Sequence, residues 1–537
     1  MKTLDIIEVG KKQKYIFQSN RLKEIVGASM IIRYISEKLP KEIMDKHECD
    51  VGKPTAVIEG GGHSIYSFDS EDEARKFNHI LSKYVVIHFP GLELNCRLLS
   101  YNDENESIRD AIDQLFKELA VKKSKGSASL SQISFGIERL CESSQLPADK
   151  DYTVIDGEER RALSPEIKCK LDFVRKYKPS DYFSDLIPET PYHMFRIHVD
   201  MDKLAGNEKS KIAVIHIDGN GMGKKLNRFK DMNQKAPGES VSDFNNRYQK
   251  SFRDFSKGID SKYKQAFNTM LVRLEKRIVQ AEEHSSLKIY QNDKVNIRPL
   301  IFAGDDISFI VPGNLGVEAA RMMLEEIQRE PLVIHGSRGQ EENVTMHASA
   351  GVAIVKSGYP FSVAHDLAEQ LCGNAKSRLA SDVAAGIVAG DDASVLDFHV
   401  LNGTWNVSLS RYRQNNYNRK VNGRSFRLSM KPLYVFLNQR VRNESDVWDF
   451  SLFTEALKRI TDNKMARNKI KRLREHLLLG PGETTRYIRL AGLSDPLTKS
   501  FPPLPEGTLF AASPDHVPVC LYFDAIESMD DVILMDE

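Results

Sequence analysis

Two stretches decide the fold: KIAVIHIDGNGMG at residues 211–223 and PLIFAGDDISFIV at residues 299–311. In each, an apolar run typical of a β-strand ends in carboxylates and glycines. The second stretch continues at once into another apolar run, which predicts a tight hairpin with Asp305 and Asp306 at its tip. A strand that ends at Asp218 beside that tip would bring carboxylates from neighbouring strands to one point. Such a point suits a pair of Mg²⁺ ions that hold a nucleoside triphosphate and activate a 3′-hydroxyl.

Either stretch alone is also the pattern of an ordinary solvated turn, so the order of the surrounding elements carries the prediction. Between the two stretches, apolar residues recur at helical spacing over 241–284, which predicts one long amphipathic helix. A helix follows the hairpin, then a strand over 345–355 and a helix over 362–379. Strand, helix, hairpin, helix, strand and helix in this order indicate a ferredoxin-like palm domain.

The N-terminal part of the chain repeats this order of elements. Strands are predicted at residues 3–9, 55–59 and 63–68, and helices at 20–39 and 71–84. Their order along the chain is that of the later palm. Glycines, Gly61 and Gly62 among them, occupy the hairpin tip that carries acids in the later palm. We therefore predict a degenerate palm that has lost its metal ligands. Its glycines would let backbone amides approach a phosphate or base closely, and an ordinary tight hairpin is the alternative.

Composition indicates a globular protein of several domains. The 537 residues are 41% hydrophobic and 28% charged, and no apolar run is long enough for a membrane span or a signal peptide. Six scattered cysteines without a CxxC pair favour a reducing compartment, so we expect a cytoplasmic protein. The net charge of +1 makes no general case for nucleic-acid binding. Residues 401–490 hold 19 Lys and Arg against 7 Asp and Glu, which fits either a solvated helical face or a surface for triphosphates or a polynucleotide.

Three segments resemble one known family. IHIDGNGMG at 215–223, the Gly304-Asp305-Asp306 hairpin and SAGVA at 349–353 resemble the second palm of the large polymerase/cyclase-like subunit of type III CRISPR effectors. The segment YIFQSNRLKEIVGAS at 15–29 resembles the start of that family's first palm. GGDEF diguanylate cyclases and class III nucleotide cyclases are more distant relatives. The hairpin departs from the family's usual Gly-Gly-Asp-Asp by having Ala303 first.

The resemblance implies an α+β chain with two facing ferredoxin-like palms, which bind two nucleotides at their interface. It implies a two-ion site for Mg²⁺ or Mn²⁺, with Asp218, Asp305 and Asp306 as catalytic residues and Gly219 as a fourth metal-site residue. Asp305 matches the metal-binding position of the cyclase hairpins. Lys376 falls where the relatives have a lysine that contacts the triphosphate. The expected nucleotide-binding residues are Gly61, Gly62, Gly219, Asn220, Gly221, Met222, Gly223, Gly304 and Lys376, the 219–223 turn offering backbone N–H groups to phosphates.

The predicted domains follow from the two palms. They are a degenerate palm at 1–125, a helical inter-palm domain at 126–205, a catalytic palm at 206–394 and a mainly helical C-terminal domain at 395–537. Many family members have a zinc ribbon between the palms, but this chain has Cys141 and Ser144 in place of a CxxC pair, so no zinc is expected. The family's optional HD nuclease domain is not found, and the His365-Asp366 pair is interpreted as part of the last palm helix.

The predicted reaction is nucleotidyl transfer without a covalent enzyme intermediate. The resemblance implies that nucleoside triphosphates become a short cyclic or linear oligonucleotide, a signal for a downstream effector in antiviral defence. Because a nuclease domain and a zinc ribbon are not found, we expect a stand-alone enzyme more than a subunit of a CRISPR complex. Two alternatives stay open. One is a non-catalytic scaffold subunit of a CRISPR ribonucleoprotein, which would bind RNA, and the other is a nucleotide or diguanylate cyclase. Two unlike palms in one chain favour a built-in pseudo-dimer over a cyclase that pairs two copies of one palm.

Overall fold

The computed structural model describes residues 1–60, 63–126, 134, 136–149, 153–155, 159–197, 211–284, 295–337, 339–388, 393–403, 405, 407–437, 448–461, 465–513 and 515–534. These residues form two palm sheets, a connecting segment between them and a C-terminal part that covers the second sheet. Among the helices in these ranges, none has both the length and the hydropathy to cross a membrane.

The first palm is a four-stranded antiparallel sheet. Its strands are β1 (Lys2–Gly10), β2 (Thr55–Gly60), β3 (His63–Phe68) and β4 (Glu93–Tyr101). Its helices are α1 (Lys12–Ile16), α2 (Leu22–Arg33), α3 (Leu39–Lys46), α4 (Glu48–Val51), α5 (Glu71–His88) and α6 (Ile108–Ser124), and a π-helical turn over Tyr34–Lys38 continues α2. The strand order β2-β3-β1-β4 is that of a ferredoxin-like fold and confirms the predicted palm topology.

The connecting segment is fixed to the first palm through α2. It comprises β5 (Thr153–Ile155), β6 (Glu159–Arg161), α7 (Pro165–Lys176), α8 (Pro179–Tyr182), the 3₁₀ turn Ser184–Leu186 and β7 (Phe195–Ile197). A Cβ atom at Gly27 of α2 would lie 2.2 Å from the carbonyl oxygen of Lys170, so only glycine permits this helix contact. The buried Lys170 Nζ donates to the carbonyl of Tyr15 at 2.7 Å and to Glu166 Oε1 at 2.6 Å. These contacts give the 15–29 segment a structural role.

The second palm repeats the topology on a larger scale. Its elements are β8 (Lys211–Gly219), α9 (Met222–Met232), α10 (Val241–His284), β9 (Val295–Ala303), β10 (Asp306–Pro312), the 3₁₀ turn Gly313–Leu315, α11 (Gly316–Arg329), β11 (Leu332–His335), β12 (Glu341–Val344), β13 (Ala348–Lys356) and α12 (Phe361–Ala384). The central strands run β13-β8-β10-β9, as predicted for a palm. The strand predicted at 345–355 spans 348–356, and the last helix is longer than expected at both ends.

The core of the second palm lies between its sheet and the helices α10 and α11. The aromatic residues that predicted α10 are buried, including Phe244, Tyr248 and Phe267. Strand β8 is buried over nearly its whole length because it has neighbours on both sides and helices over the sheet. Consequently the end of β8, where Asp218 lies, is held by hydrogen bonds to both β10 and β13.

The C-terminal part extends the palm sheet and adds a small sheet of its own. Its elements are β14 (Ser394–Val400), α13 (Leu409–Asn416), β15 (Asn418–Val421), β16 (Arg424–Arg427), β17 (Leu433–Val435), α14 (Phe450–Thr461), α15 (Arg467–Leu478), α16 (Pro481–Leu490), α17 (Ser494–Thr498), β18 (Phe510–Ala511), β19 (Val519–Cys520) and α18 (Phe523–Ser528). Strand β14 pairs in parallel with β13 and completes the order β17-β14-β13-β8-β10-β9-β7. The domain limits at 125, 205 and 394 remain predictions.

Candidate functional site

The three predicted carboxylates lie at one end of the second palm sheet. Strand β10 pairs with β8 so that Ile307 faces Ile217, which places Asp306 and Asp218 just beyond the last paired residues of adjacent strands. Asp306 itself pairs with Ala303, leaving Gly304 and Asp305 as a two-residue hairpin loop. Gly304 has a φ of 67°, a left-handed conformation that glycine adopts without strain. The sheet register therefore brings together the acids that the sequence placed at two separate strand ends.

Gly219 leaves the space in which the Asp305 carboxylate lies. A Cβ atom at Gly219 would be 2.7 Å from Asp305 Oδ2 and 2.8 Å from the Tyr263 hydroxyl. The Tyr263 side chain is fully buried, and its hydroxyl has no hydrogen-bond partner among the described residues. The carboxylate thus sits between the end of β8 and a phenol on α10, a position that any larger residue at 219 would disturb.

The hairpin carboxylates are partly buried and lie close to other negative charges. Burial, and then the negative charge of Asp218, raise the pKa of Asp305 and the pKa of Asp306 to about 6 each. Asp306 Oδ1 is buried and accepts no hydrogen bond from the part of the chain that the structure describes. Hard oxygen donors held together in this unfavourable state suit a divalent cation, because the ion would relieve both the repulsion and the missing contact. The donor set therefore fits Mg²⁺ or Mn²⁺.

Lys376 extends from α12 into this cluster. Its Nζ donates to Asp218 Oδ2 at 2.6 Å and to the carbonyl oxygen of Gly219 at 3.1 Å. Both side chains of the ion pair are about one-third exposed, so the lysine can be reached from solvent. A mobile ammonium group beside the carboxylates can counter their charge or contact a phosphate.

The turn at 219–223 is built mainly around Asn220. The Asn220 amide donates to the carbonyl of Ala393 at 2.9 Å and accepts from Ser349 Oγ at 2.9 Å, and its backbone N–H donates to His347. These three hydrogen bonds hold the backbone and side chain of Asn220 in place within the turn. Gly221, with a φ of 64°, then starts α9, whose first residues are Met222 and Gly223.

The two predicted first-palm residues cannot be placed in the same way. Gly61 and Gly62 lie outside the described residues. Gly60 at the end of β2 pairs with His63 at the start of β3, which confirms the two predicted strands as an antiparallel pair.

A cavity of about 420 Å³ lies between the palms and opens onto Asp306. The second palm contributes residues 300–303 of β9 and Asp306, and the first palm contributes the end of β1, α1 and α2. Among its lining residues, Lys12 has a pKa lowered by burial, although Asp306 and Glu8 partly oppose that shift. The sequence analysis did not identify Lys12 as a site residue. The signal that could have indicated it is the basic run GKKQK at 10–14, directly after the first strand. A larger groove of about 600 Å³ along β4 shares no lining residue with this cavity.

A short polar chain lies behind the carboxylates. The His216 Nδ1 atom is 2.9 Å from Ser308 Oγ and 3.7 Å from Asp306 Oδ1. Burial lowers the pKa of His216 to about 4, so its imidazole is neutral at physiological pH. Ser308 in turn lies 3.4 Å from Nε2 of His365 on α12. No sequence pattern indicated this polar network, because its members come from three separate elements.

Comparisons with known proteins agree with the geometry. Residues 211–384 match the family model described as Cas10/Cmr2, second palm domain. The whole chain is similar in fold to a Csm1-Csm4 cassette solved with cA4, at 13% identity and a TM-score of 0.51, covering 98% of this chain and 69% of that one. The same cassette with pppApA has 14% identity, and Csm1 in T. onnurineus has 13%, both with the same TM-score and coverage. No protein with a curated description matches. Residues 211–384 thus match the second palm that the sequence motifs indicated, and the chain as a whole shares the fold of these structures.

Proposed function

We propose that this protein is a metal-dependent nucleotidyltransferase that joins nucleoside triphosphates into a short oligonucleotide. The observation that carries the proposal is the convergence of Asp218, Asp305 and Asp306 at one end of the second palm sheet, with Lys376 paired to Asp218. Asp306 also lines the inter-palm cavity, whose volume of about 420 Å³ suits a ligand of nucleotide size. Residues of the first palm line the same cavity.

Asp218, Asp305 and Asp306 would hold two divalent ions, with the Gly219 carbonyl as a further oxygen donor. Ions bound there would lower the pKa of an attacking 3′-hydroxyl and neutralise charge on the triphosphate and the leaving pyrophosphate. The protein supplies the positioning. The paired strands β8 and β10 fix the carboxylates, and the glycine at 219 leaves room for Asp305.

Lys376 and Lys12 would bind the triphosphates. Ions bound at Asp218 would weaken its ion pair with Lys376, whose ammonium group would then be able to contact a phosphate oxygen. Lys12 reaches the same region from the first palm, where Asp306 and Glu8 are its acidic neighbours. With one lysine from each palm, the site suits two bound triphosphates better than a single one.

Adenosine nucleotides are the substrates that we favour. The cassettes of similar fold were solved with cA4, pppApA and AMPPNP, which are adenosine compounds of one to four units. If this chain handles the same class, ATP is the substrate and an oligoadenylate is the product, serving as a defence signal. Those cassettes also contain Csm4, so a Csm4-like partner is an alternative to a stand-alone enzyme.

The proposal is tested by incubating the purified protein with each ribo- and deoxynucleoside triphosphate, first with Mg²⁺ and then with Mn²⁺. Mass spectrometry should detect a new phosphodiester-linked product with ATP, and the Asp305→Asn/Asp306→Asn double variant should lose it. The Asp254→Asn variant, which changes an exposed acid on α10, is the matched control and should keep wild-type activity. Full activity in the double variant would refute the metal-site argument. Absence of product together with copurifying RNA would favour the scaffold role.

A further inference from the structure

A second group of possible metal ligands lies on α12, one turn after its start. His365, Asp366 and Glu369 each offer one donor atom, and these atoms all lie within 4.8 Å of one another. Residues at positions i and i+4 of a helix share one face, so His365 and Glu369 project together. The nucleotidyl-transfer proposal uses none of the three residues.

The His365 imidazole is prepared to act as a ligand. The side chain is fully buried, and Nδ1 has no hydrogen-bond partner within the described ranges. Its other nitrogen, Nε2, lies 3.4 Å from Ser308 Oγ. With the proton on Nε2, the Nδ1 lone pair points away from Ser308, and the Ser308 contact fixes the ring in the way that outer-shell partners of metal-bound histidines do.

The two oxygens of Glu369 have separate environments. Oε1 accepts a hydrogen bond from the side-chain amide of Gln13 in the first palm. Oε2 faces His365 Nδ1 at 4.0 Å, a separation too long for a hydrogen bond. Two ligands that each lie about 2.1 Å from one tetrahedral ion are about 3.4 Å apart, so a side-chain shift of about 0.6 Å would close this pair around a metal. Asp366 is exposed and can complete the site from the solvent side.

We propose that His365, Asp366 and Glu369 bind a second kind of divalent ion, a first-row transition metal such as Mn²⁺ or Zn²⁺, at the junction of the two palms. One imidazole and two carboxylates are the mixed donor set that such ions prefer over Mg²⁺. The location is a junction because Phe17 of the first palm stacks on His365 at 4.0 Å between ring centroids. Gln13 of that palm binds the same Glu369. An occupied site would therefore hold the first palm against α12.

The test uses the full chain in the Asp305→Asn/Asp306→Asn background, so that the hairpin site contributes little. Mn²⁺ binding is followed by electron paramagnetic resonance, with Zn²⁺ as a competitor. We expect one Mn²⁺ per chain, displaced by Zn²⁺, and an affinity at least tenfold lower after Glu369→Gln or Asp366→Asn. The Asp254→Asn control should leave the affinity unchanged. The electron spin echo of bound Mn²⁺ should show ¹⁴N coupling from an imidazole, and His365→Gln should abolish it.

Two results would overturn the proposal. One is the absence of Mn²⁺ binding at millimolar concentration in the background variant, and the other is an affinity that Glu369→Gln and Asp366→Asn leave unchanged. The buried His365→Gln variant could fail to fold, which circular dichroism would reveal. Asp366→Asn is exposed and leaves the core intact, so the proposal stays testable without the histidine variant. Because the measurement is ion binding, its outcome is independent of whether the protein makes oligonucleotides.

Discussion

Gly219→Ala should separate the geometry of the carboxylate site from its chemistry, since no ligand is removed. The added Cβ atom would lie 2.7 Å from Asp305 Oδ2, whereas ordinary van der Waals contact begins at 3.4 Å. The carboxylate must therefore move by about 0.7 Å, and a displacement near 1 Å in a catalytic group can cost about 10²-fold in rate. We expect product formation to fall by about 10- to 100-fold, which corresponds to about 1.4–2.7 kcal/mol of transition-state stabilisation.

The assay is steady-state product formation from ATP, read by mass spectrometry, with Mn²⁺ affinity measured alongside it. Gly358→Ala is the matched control, because a Cβ atom there meets no atom within 4 Å and the residue lies beyond the end of β13 that is remote from Asp218. The control should retain wild-type activity. If Gly219→Ala is as active as Gly358→Ala and binds Mn²⁺ equally well, then Asp305 is not held in a catalytic position by the space at 219.

Three further predictions concern stability and binding. Folded Asp305 and Asp306, with pKa values near 6 against 3.8 for the free side chain, bind more protons than the unfolded chain. The melting temperature of the metal-free protein should therefore fall as pH rises from about 4 to 6. The Asp305→Asn/Asp306→Asn variant should not show this fall. At pH 7.5, added Mg²⁺ should restore the melting temperature of the wild-type protein. Gly27→Ala should lower the melting temperature by several degrees because its Cβ would overlap a backbone carbonyl, whereas Gly373→Ala, with open space around it, should not. Lys376→Met should raise KM for ATP about tenfold or more without lowering the melting temperature, and an unchanged KM would exclude a phosphate contact.

The parts of this fold that the sequence predicted are those set by local pattern. The apolar runs before Asp218 and around Asp305 predicted strands because a buried strand needs apolar residues throughout. The hairpin and the 44-residue helix α10 likewise depend on turn residues and periodicity within one segment. These local signals sufficed to place the three acids at one end of the sheet.

What the sequence did not predict depends on distant partners. Gln13 donates a hydrogen bond to Glu369, which lies 356 positions later in the sequence. No local pattern around either residue predicts this contact. Asn220 stays a predicted nucleotide-binding residue, but no sequence pattern indicated that its side chain would hydrogen-bond to Ser349 and to the carbonyl oxygen of Ala393. The parallel pairing of β14 with β13 could not be predicted from the sequence, since pairing is decided by the folded sheet.

The contact between α2 and α7 has a consequence for the modularity of the molecule. Lys170 of α7 binds the carbonyl of Tyr15, the residue that precedes Ile16 in the lining of the inter-palm cavity. The shape of that cavity is therefore set partly by a helix that belongs to neither palm. A chimaera that exchanges only the first palm with that of a relative would separate Gly27 from the backbone that it evolved to meet. The unit that can be transplanted is the first palm together with α7, and recombination breakpoints that yield folded hybrids should fall after Lys176.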